Sequence, residues 1–262
     1  MQNFERTLEL SNYTVQLYRE LFEEPHPIGS GLLIYFHDQH LLISANHVID
    51  LEDERIKIEN DPDEIGIPQN EMESIKVKGK NSYFNINDKV KAMVCTGHFD
   101  GETEEIEINK DIEWCVCELS EDIVEWLIEK GKIFYKLDER FSLNIKTGTQ
   151  IFISGYPKYA QKENQETYRS FVSELLEDFK INESSLFRVR FNQDKAYCLE
   201  LKNTIQIRPR KEGISGMSGG GLWYKGADNF IPLGIILQQG ENYVEGYSLY
   251  EILKSYQRRT YE

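Results

Sequence analysis

From Gly29 onward the sequence breaks into short β-prone runs, each too brief for a long helix and each closed by glycine or polar residues; no other feature limits the fold as strongly. The first two, 32–36 and 41–44, flank His37-Asp38-Gln39-His40, which reads as a hairpin connection. Further strands are predicted at 56–58, 74–78, 89–96, 113–119, 149–154, 186–191, 196–201, 204–207, 222–224, 232–237 and 246–249. Helical spacing is confined to a few windows. Residues 4–24 set Leu8, Val15, Tyr18, Leu21 and Phe22 at roughly helical intervals, ended by Pro25-His26-Pro27, and predict a helix packed outside the main fold. Residues 121–129 and 168–179 predict two helical interruptions, and 250–258 a closing helix. Many short strands with few helices favour an all-β barrel or sandwich over alternating β/α units.

Chain length fits that class, since 262 residues suffice for one large all-β unit or two joined halves. With 45 Asp+Glu against 30 Lys+Arg the formal charge is −15, so the surrounding field repels phosphate backbones and anionic lipid. Neither nucleic acid nor membrane is an expected partner. The compact basic group Gln257-Arg258-Arg259 reads as a solvated helix end. The acidic clusters 51–54, 61–64 and 102–107 lack the alternating Asp/Asn and glycine of a calcium loop and read as solvated loops. Gly219-Gly220-Gly221 precedes a strand-like run, whereas phosphate cradles open a helix. No metal and no cofactor is expected. The first 24 residues contain acids and no uninterrupted apolar run, and no stretch approaches the ~18–20 apolar residues of a membrane span. Cys95, Cys115, Cys117 and Cys198 match neither a disulfide framework nor a CxxC site, and Cys115 and Cys117 would share one strand face. They read as reduced core thiols of a cytoplasmic protein.

Chemistry is concentrated in three segments. In Gly213-Ile214-Ser215-Gly216-Met217-Ser218-Gly219-Gly220-Gly221-Leu222, the glycines around Ser218 permit the tight turn that presents a nucleophilic hydroxyl. In such a turn the N–H groups of Gly216 and Ser218 are placed to form an oxyanion hole. A glycine-rich turn holding a chance serine is the plain alternative. In Leu41-Leu42-Ile43-Ser44-Ala45-Asn46-His47-Val48-Ile49, an apolar strand gives way to small residues that would let the His47 imidazole reach across a cleft. The other histidines, His26, His37, His40 and His98, read as surface or core residues.

Taken together, Ser-Ala-Asn-His-Val and Gly-Met-Ser-Gly-Gly resemble, in the same order, the histidine and serine motifs of the trypsin-like serine peptidases of the chymotrypsin fold. The similarity extends to their minimal, non-secreted bacterial members. Glu113-Trp114-Cys115-Val116-Cys117-Glu118-Leu119 resembles the family's acid-bearing strand, with Glu113 in place of the usual Asp and Glu118 in place of a basic residue. Asp111, two residues earlier, is the alternative acid. Two weaker echoes are Ile151-Phe152-Ile153-Ser154-Gly155-Tyr156-Pro157 and Pro232-Leu233-Gly234-Ile235-Ile236, and the resemblance spans about 28–258.

The resemblance implies two six-stranded Greek-key β-barrels with the catalytic residues between them. The expected divisions are an N-terminal helical extension at 1–27, a first barrel at 28–135 carrying His47 and Glu113, and a second barrel at 136–262 carrying Ser218 and the closing helix. It implies His47 as general base, Glu113 or Asp111 as its orienter and Ser218 as nucleophile. By the same resemblance Glu212 lies at the base of the substrate pocket, where a carboxylate attracts Lys or Arg side chains. Leu237, Gln238 and Gln239 line its wall, the glutamines being bulkier than the family's small residues. Met217 cannot make the ion pair by which secreted members respond to a newly cut N-terminus. The implied activity is an intracellular endopeptidase acting on protein or peptide substrates and gated by a partner or sensor protein, by analogy in stress or antiviral defence. A catalytically weak protein-binding module on the same double barrel is the second reading.

Overall fold

The computed structural model describes residues 10–21, 24–49, 75–78, 83–85, 90–94, 97–99, 106–108, 113–137, 144–145, 148–157, 167–175, 179–180, 186–200, 205–206, 216–227, 229–239 and 243–261. In its first half the strands are β1 (Thr14–Leu21), β2 (Glu24–Phe36), β3 (Gln39–Ala45), β4 (Ile75–Lys78), β5 (Tyr83–Asn85), β6 (Val90–Val94), β7 (Gly97–Phe99), β8 (Ile106–Ile108), β9 (Trp114–Leu119) and β10 (Tyr135–Lys136). The second half continues with β11 (Asn144–Ile145), β12 (Gln150–Gly155), β13 (Thr167–Leu175), β14 (Phe179–Lys180), β15 (Leu186–Glu200), β16 (Ile205–Gln206), β17 (Gly221–Lys225), β18 (Phe230–Gln239) and β19 (Tyr243–Ser248). Helices are few among the described residues: Asn46–Ile49, Glu121–Glu129 and Leu249–Tyr261, with a 3₁₀ turn at Leu10–Tyr13. Apart from the short parallel contact of β10 with β2, the sheets are antiparallel. This is an all-β protein. No described helix is long and apolar enough to cross a membrane.

Among the described residues the first sheet runs β5-β4-β1-β2-β3-β9-β6. Its centre is the β2–β3 hairpin, whose turn residues His37 and Asp38 take φ of 47° and 60°. Positive φ at both positions matches the twist of a two-residue hairpin, and the Tyr35 hydroxyl donates to Asp38 Oδ1 at 2.8 Å beside it. Leu32, Leu33, Ile34, Leu41, Leu42, Ile43, Cys115, Val116 and Cys117 are buried along consecutive positions. Both faces of these strands are therefore covered, which accounts for continuous apolar runs in place of alternation.

Two predicted helices are strands. Within the described part of 4–24, residues 14–21 form β1, hydrogen-bonded between β2 and β4, so this segment belongs to the first sheet and is no helical extension. Thr14, Val15, Gln16, Leu17 and Tyr18 are buried in unbroken succession. A one-sided surface helix cannot bury five neighbours, whereas a central strand buries both faces. Pro25 and Pro27, read as helix stops, lie inside β2; its pairing with β3 begins only at Leu32, so the missing proline N–H groups fall on a stretch with one ladder edge. The second, 168–179, is β13 followed by β14. Its spacing is helical, but β12 and β15 pair with both edges of β13, and the tertiary ladder overrides the pattern.

The second sheet runs β13-β12-β17-β18-β19-β15-β16, and β13 also pairs with β15. Those pairings form a closed circuit through β13, β12, β17, β18, β19 and β15. The runs 186–191 and 196–201 are one strand, β15; the polar break between them is absorbed as a register irregularity opposite Phe171 and Ser173. The predicted helices 121–129 and 250–258 coincide with Glu121–Glu129 and lie within Leu249–Tyr261, while Leu249, read as strand, opens the latter helix. Strand 56–58 and acidic clusters 51–54 and 61–64 lie outside the described residues, as does most of 102–107, of which 106 and 107 belong to β8.

The two sheets share one core. Trp223, Ile235 and Leu237 from the second pack in the same cluster as Leu32, Leu41 and Trp114 from the first. The C-terminal helix adds Ile252, Leu253 and Tyr256, and the Tyr256 hydroxyl meets Gln39 Oε1 at 3.3 Å, so a helix following the second sheet closes onto the first. Lys132, after helix Glu121–Glu129, donates to Ser11 O, Thr14 O and the Tyr156 hydroxyl at 3.0, 2.8 and 3.1 Å. Its ammonium fastens the N-terminal turn and β1 to the end of β12.

Candidate active site

His47 stands where β3 ends. The strand packs down through the buried Ser44 and Ala45, and the one-turn helix Asn46–Ile49 then carries the imidazole out to partial exposure while Val48 and Ile49 return to the core. The register Ala45↔Trp114 sets Glu113 opposite the start of that helix. Asn46 N–H donates to Glu113 O at 2.8 Å, locking the two backbones, and His47 Nδ1 lies 3.2 Å from Glu113 Oε2. With the proton on Nδ1 the ring donates to the carboxylate and presents Nε2 as an acceptor. The pair is wet: the side chains are 36% and 49% exposed. A side-chain contact so exposed contributes at most about 1 kcal/mol to stability. Asp111 lies outside the described residues.

Ser218 sits on a turn that backbone bonds hold from both sides. Gly216 and Gly219 take φ of 86° and 80°, a region open to glycine and strained for other residues. Met217 O accepts from Gly220 N–H at 2.7 Å, Gly219 N–H donates to Ile236 O at 2.7 Å, and Ile236 N–H donates to Gly220 O at 2.8 Å. On the other side Ser218 O accepts from Ser30 N–H at 2.8 Å. A trans peptide points its N–H opposite to its carbonyl. With Met217 O turned toward Gly220, the Ser218 N–H therefore faces the opposite direction.

Contact distances bring this turn to the segment that carries the histidine. A Cβ on Gly219 would lie 2.1 Å from both Ser44 Oγ and Ser30 O, and one on Gly29 would lie 2.6 Å from the Val48 side chain and 3.0 Å from Ser218 O. Ser44 precedes His47 by three residues and Val48 follows it directly. Close approach, as much as backbone conformation, explains glycine at these positions.

The remaining predicted residues are dispersed. Met217 is fully buried, with its Cβ close to Gly155 at the end of β12. Leu237 is buried in the common core, and exposed Gln238 donates its Nε2 to Glu245 Oε2 at 2.6 Å across the β18–β19 pair. Gln239 ends β18, and Glu212 lies outside the described residues. Two serines at this seam, Ser30 and Ser44, were not singled out by sequence. The available signal was Gly29-Ser30-Gly31 in an otherwise apolar strand, since small residues in a strand mark a close backbone approach.

No protein-family model and no curated protein matches the sequence. Among solved structures, the fold is similar to that of a thermostable serine protease, AL20, from an extremophilic microorganism, at a TM-score of 0.53 and 11% identity, over 97% of this chain and 100% of that one. The chain has a chymotrypsin-like fold. The likeness extends over nearly the whole of both chains. Identity this low carries the fold and nothing finer.

Proposed function

We propose that the protein is a serine endopeptidase in which Ser218 is the nucleophile, His47 the general base and Glu113 its orienter. The two sheets act as two barrels, 28–135 together with β1 and 136–262, that hold the reacting groups at their seam. The observation that carries this reading is the His47 Nδ1 to Glu113 Oε2 contact of 3.2 Å, beside a serine turn whose Gly219 packs against Ser44, three residues before that histidine. In the reaction Ser218 Oγ bonds to the scissile carbonyl carbon as His47 Nε2 takes the hydroxyl proton. The Gly216 and Ser218 N–H groups receive the oxyanion. The C–N bond then breaks, and the departing amine takes the proton from Nε2. Water attacks the acyl-enzyme, gives its proton to Nε2, and Ser218 leaves with that proton as the acid product is released.

Substrates are proteins or peptides, with cleavage after Lys or Arg favoured by the acidic composition and by Glu212. Buried thiols at Cys115 and Cys117 support a reducing, cytoplasmic setting, and control by a partner or sensor fits Met217, which is apolar and buried. A panel of fluorogenic peptides differing only at the residue before the cut tests the proposal: turnover of the basic members is expected, with none in Ser218→Ala or His47→Ala. A preference for apolar or acidic residues would sink the specificity, and no turnover of any member would sink the enzyme. The half-exposed Glu113 favours one second reading, a protein-binding module with weak catalysis, which predicts that the peptides bind without being cut.

A further inference from the structure

We propose that Ser30 is a positioning residue that fixes the Gly216–Met217 and Ser218–Gly219 peptides, which flank the peptide carrying the Ser218 N–H, and through them the oxyanion hole; this rests on the protease reading. Ser30 is fully buried in β2, between Gly29 and Gly31. Its backbone N–H donates to Ser218 O at 2.8 Å, and its Oγ donates to Gly216 O at 3.4 Å while accepting from Tyr156 N–H at 3.0 Å. One hydroxyl proton and one lone pair are thereby assigned. Three successive carbonyls, those of Gly216, Met217 and Ser218, are each held, the outer two by Ser30 and the middle one by Gly220 N–H.

Orientation matters most at Gly216, because a glycine gives no Cβ barrier to turning its peptide over. The Ser30 hydroxyl engages the Gly216 carbonyl and so fixes the Gly216–Met217 peptide, which lies between the peptides carrying the Gly216 and Ser218 N–H groups. Its own anchors come from both sheets. Ser30 O accepts from Ser44 Oγ at 2.7 Å on the histidine strand, and Tyr156 N–H comes from the end of β12. A continuous chain of buried polar groups thus joins the strand of the base, the turn of the nucleophile and the second sheet. The hydroxyl acts on the reacting groups only through that turn.

Ser154→Ala is the matched control. Ser154 is equally buried, its hydroxyl also accepts one N–H, from Trp223 Nε1 at 2.7 Å, and also donates to a backbone carbonyl, Gly221 O, at 3.4 Å. It touches none of the three carbonyls. On a peptide that the wild type cleaves, Ser30→Ala is expected to lower kcat by about 10-fold with KM unchanged, a fraction of what losing an oxyanion donor costs. Ser154→Ala is expected to leave kcat within about twofold. Equal loss in both variants, or a raised KM with kcat intact, would overturn the proposal. Gly155→Ala probes the same hydroxyl without deleting it, since its Cβ would lie 3.0 Å from Ser30 Oγ, and should lower kcat in the same way if Ser30→Ala does not fold. Amide exchange separates this proposal from the protease reading. If the wild type cuts no peptide, the protease reading fails, and the Gly219 and Gly220 amides still decide the anchoring. Exchange about 10-fold faster in Ser30→Ala than in Ser154→Ala supports it, and equal rates overturn it.

Discussion

The two halves of the candidate site are built differently. On the first sheet, His47 and Glu113 meet through a single side-chain contact open to water, backed by one backbone bond from Asn46. On the second, the Ser218 turn is clasped by backbone bonds to Ser30 and Ile236, and Gly219 packs too tightly for any side chain. Transition-state charge is best met by dipoles that need not reorganise, so a rigid turn suits the electrophile's partner. A proton carrier must take up and release its proton within one cycle, and the exposed pair leaves the imidazole room to do so. Rigidity therefore belongs to the side of the proposed nucleophile and adjustability to that of the proposed base, and perturbing each should have a different signature.

The largest effect is expected on the rigid side. Gly219→Ala forces a Cβ to within 2.1 Å of Ser44 Oγ and Ser30 O at a φ of 80°, so it should cost about 3 kcal/mol or more in a denaturant titration and remove activity with it. Unchanged stability would mean that the turn is free to move. Glu113→Gln comes next: turnover should fall by about 100-fold or more, because an amide cannot balance the imidazolium, yet stability should change by less than about 1 kcal/mol. A matching loss of stability would erase the contrast. Asp111→Asn, in parallel, is expected to stay within about twofold in turnover, and a larger loss than that of Glu113→Gln would transfer the orienting role to Asp111.

Much of this contrast could be read in the sequence, for physical reasons that differ by segment. The serine turn was legible because left-handed backbone demands glycine at Gly216 and Gly219, and close packing demands it at Gly219 and Gly220. Glu113 was legible as part of a strand whose register with β3 then sets it opposite Asn46, next to the histidine. The β1 segment misled because Leu8, Val15, Tyr18 and Leu21 satisfy a helical period, while the fact that decides, burial of both faces, depends on β2 and β4 and leaves no local trace. Residues 168–175 misled in the same way. Ser30 lies between these cases: its flanking glycines indicate a close approach, but the partners at Ser218, Gly216 and Tyr156 are more than a hundred residues away.

The central claim is that the rigid turn presents an activated nucleophile. Reaction with a fluorophosphonate, followed by mass mapping of the adduct, measures this without knowledge of the natural substrate. A single adduct on Ser218 in the wild type, strongly slowed in His47→Ala and lost in Ser218→Ala, is the predicted result. An adduct on another residue, or labelling of the wild type no faster than of His47→Ala, would contradict it.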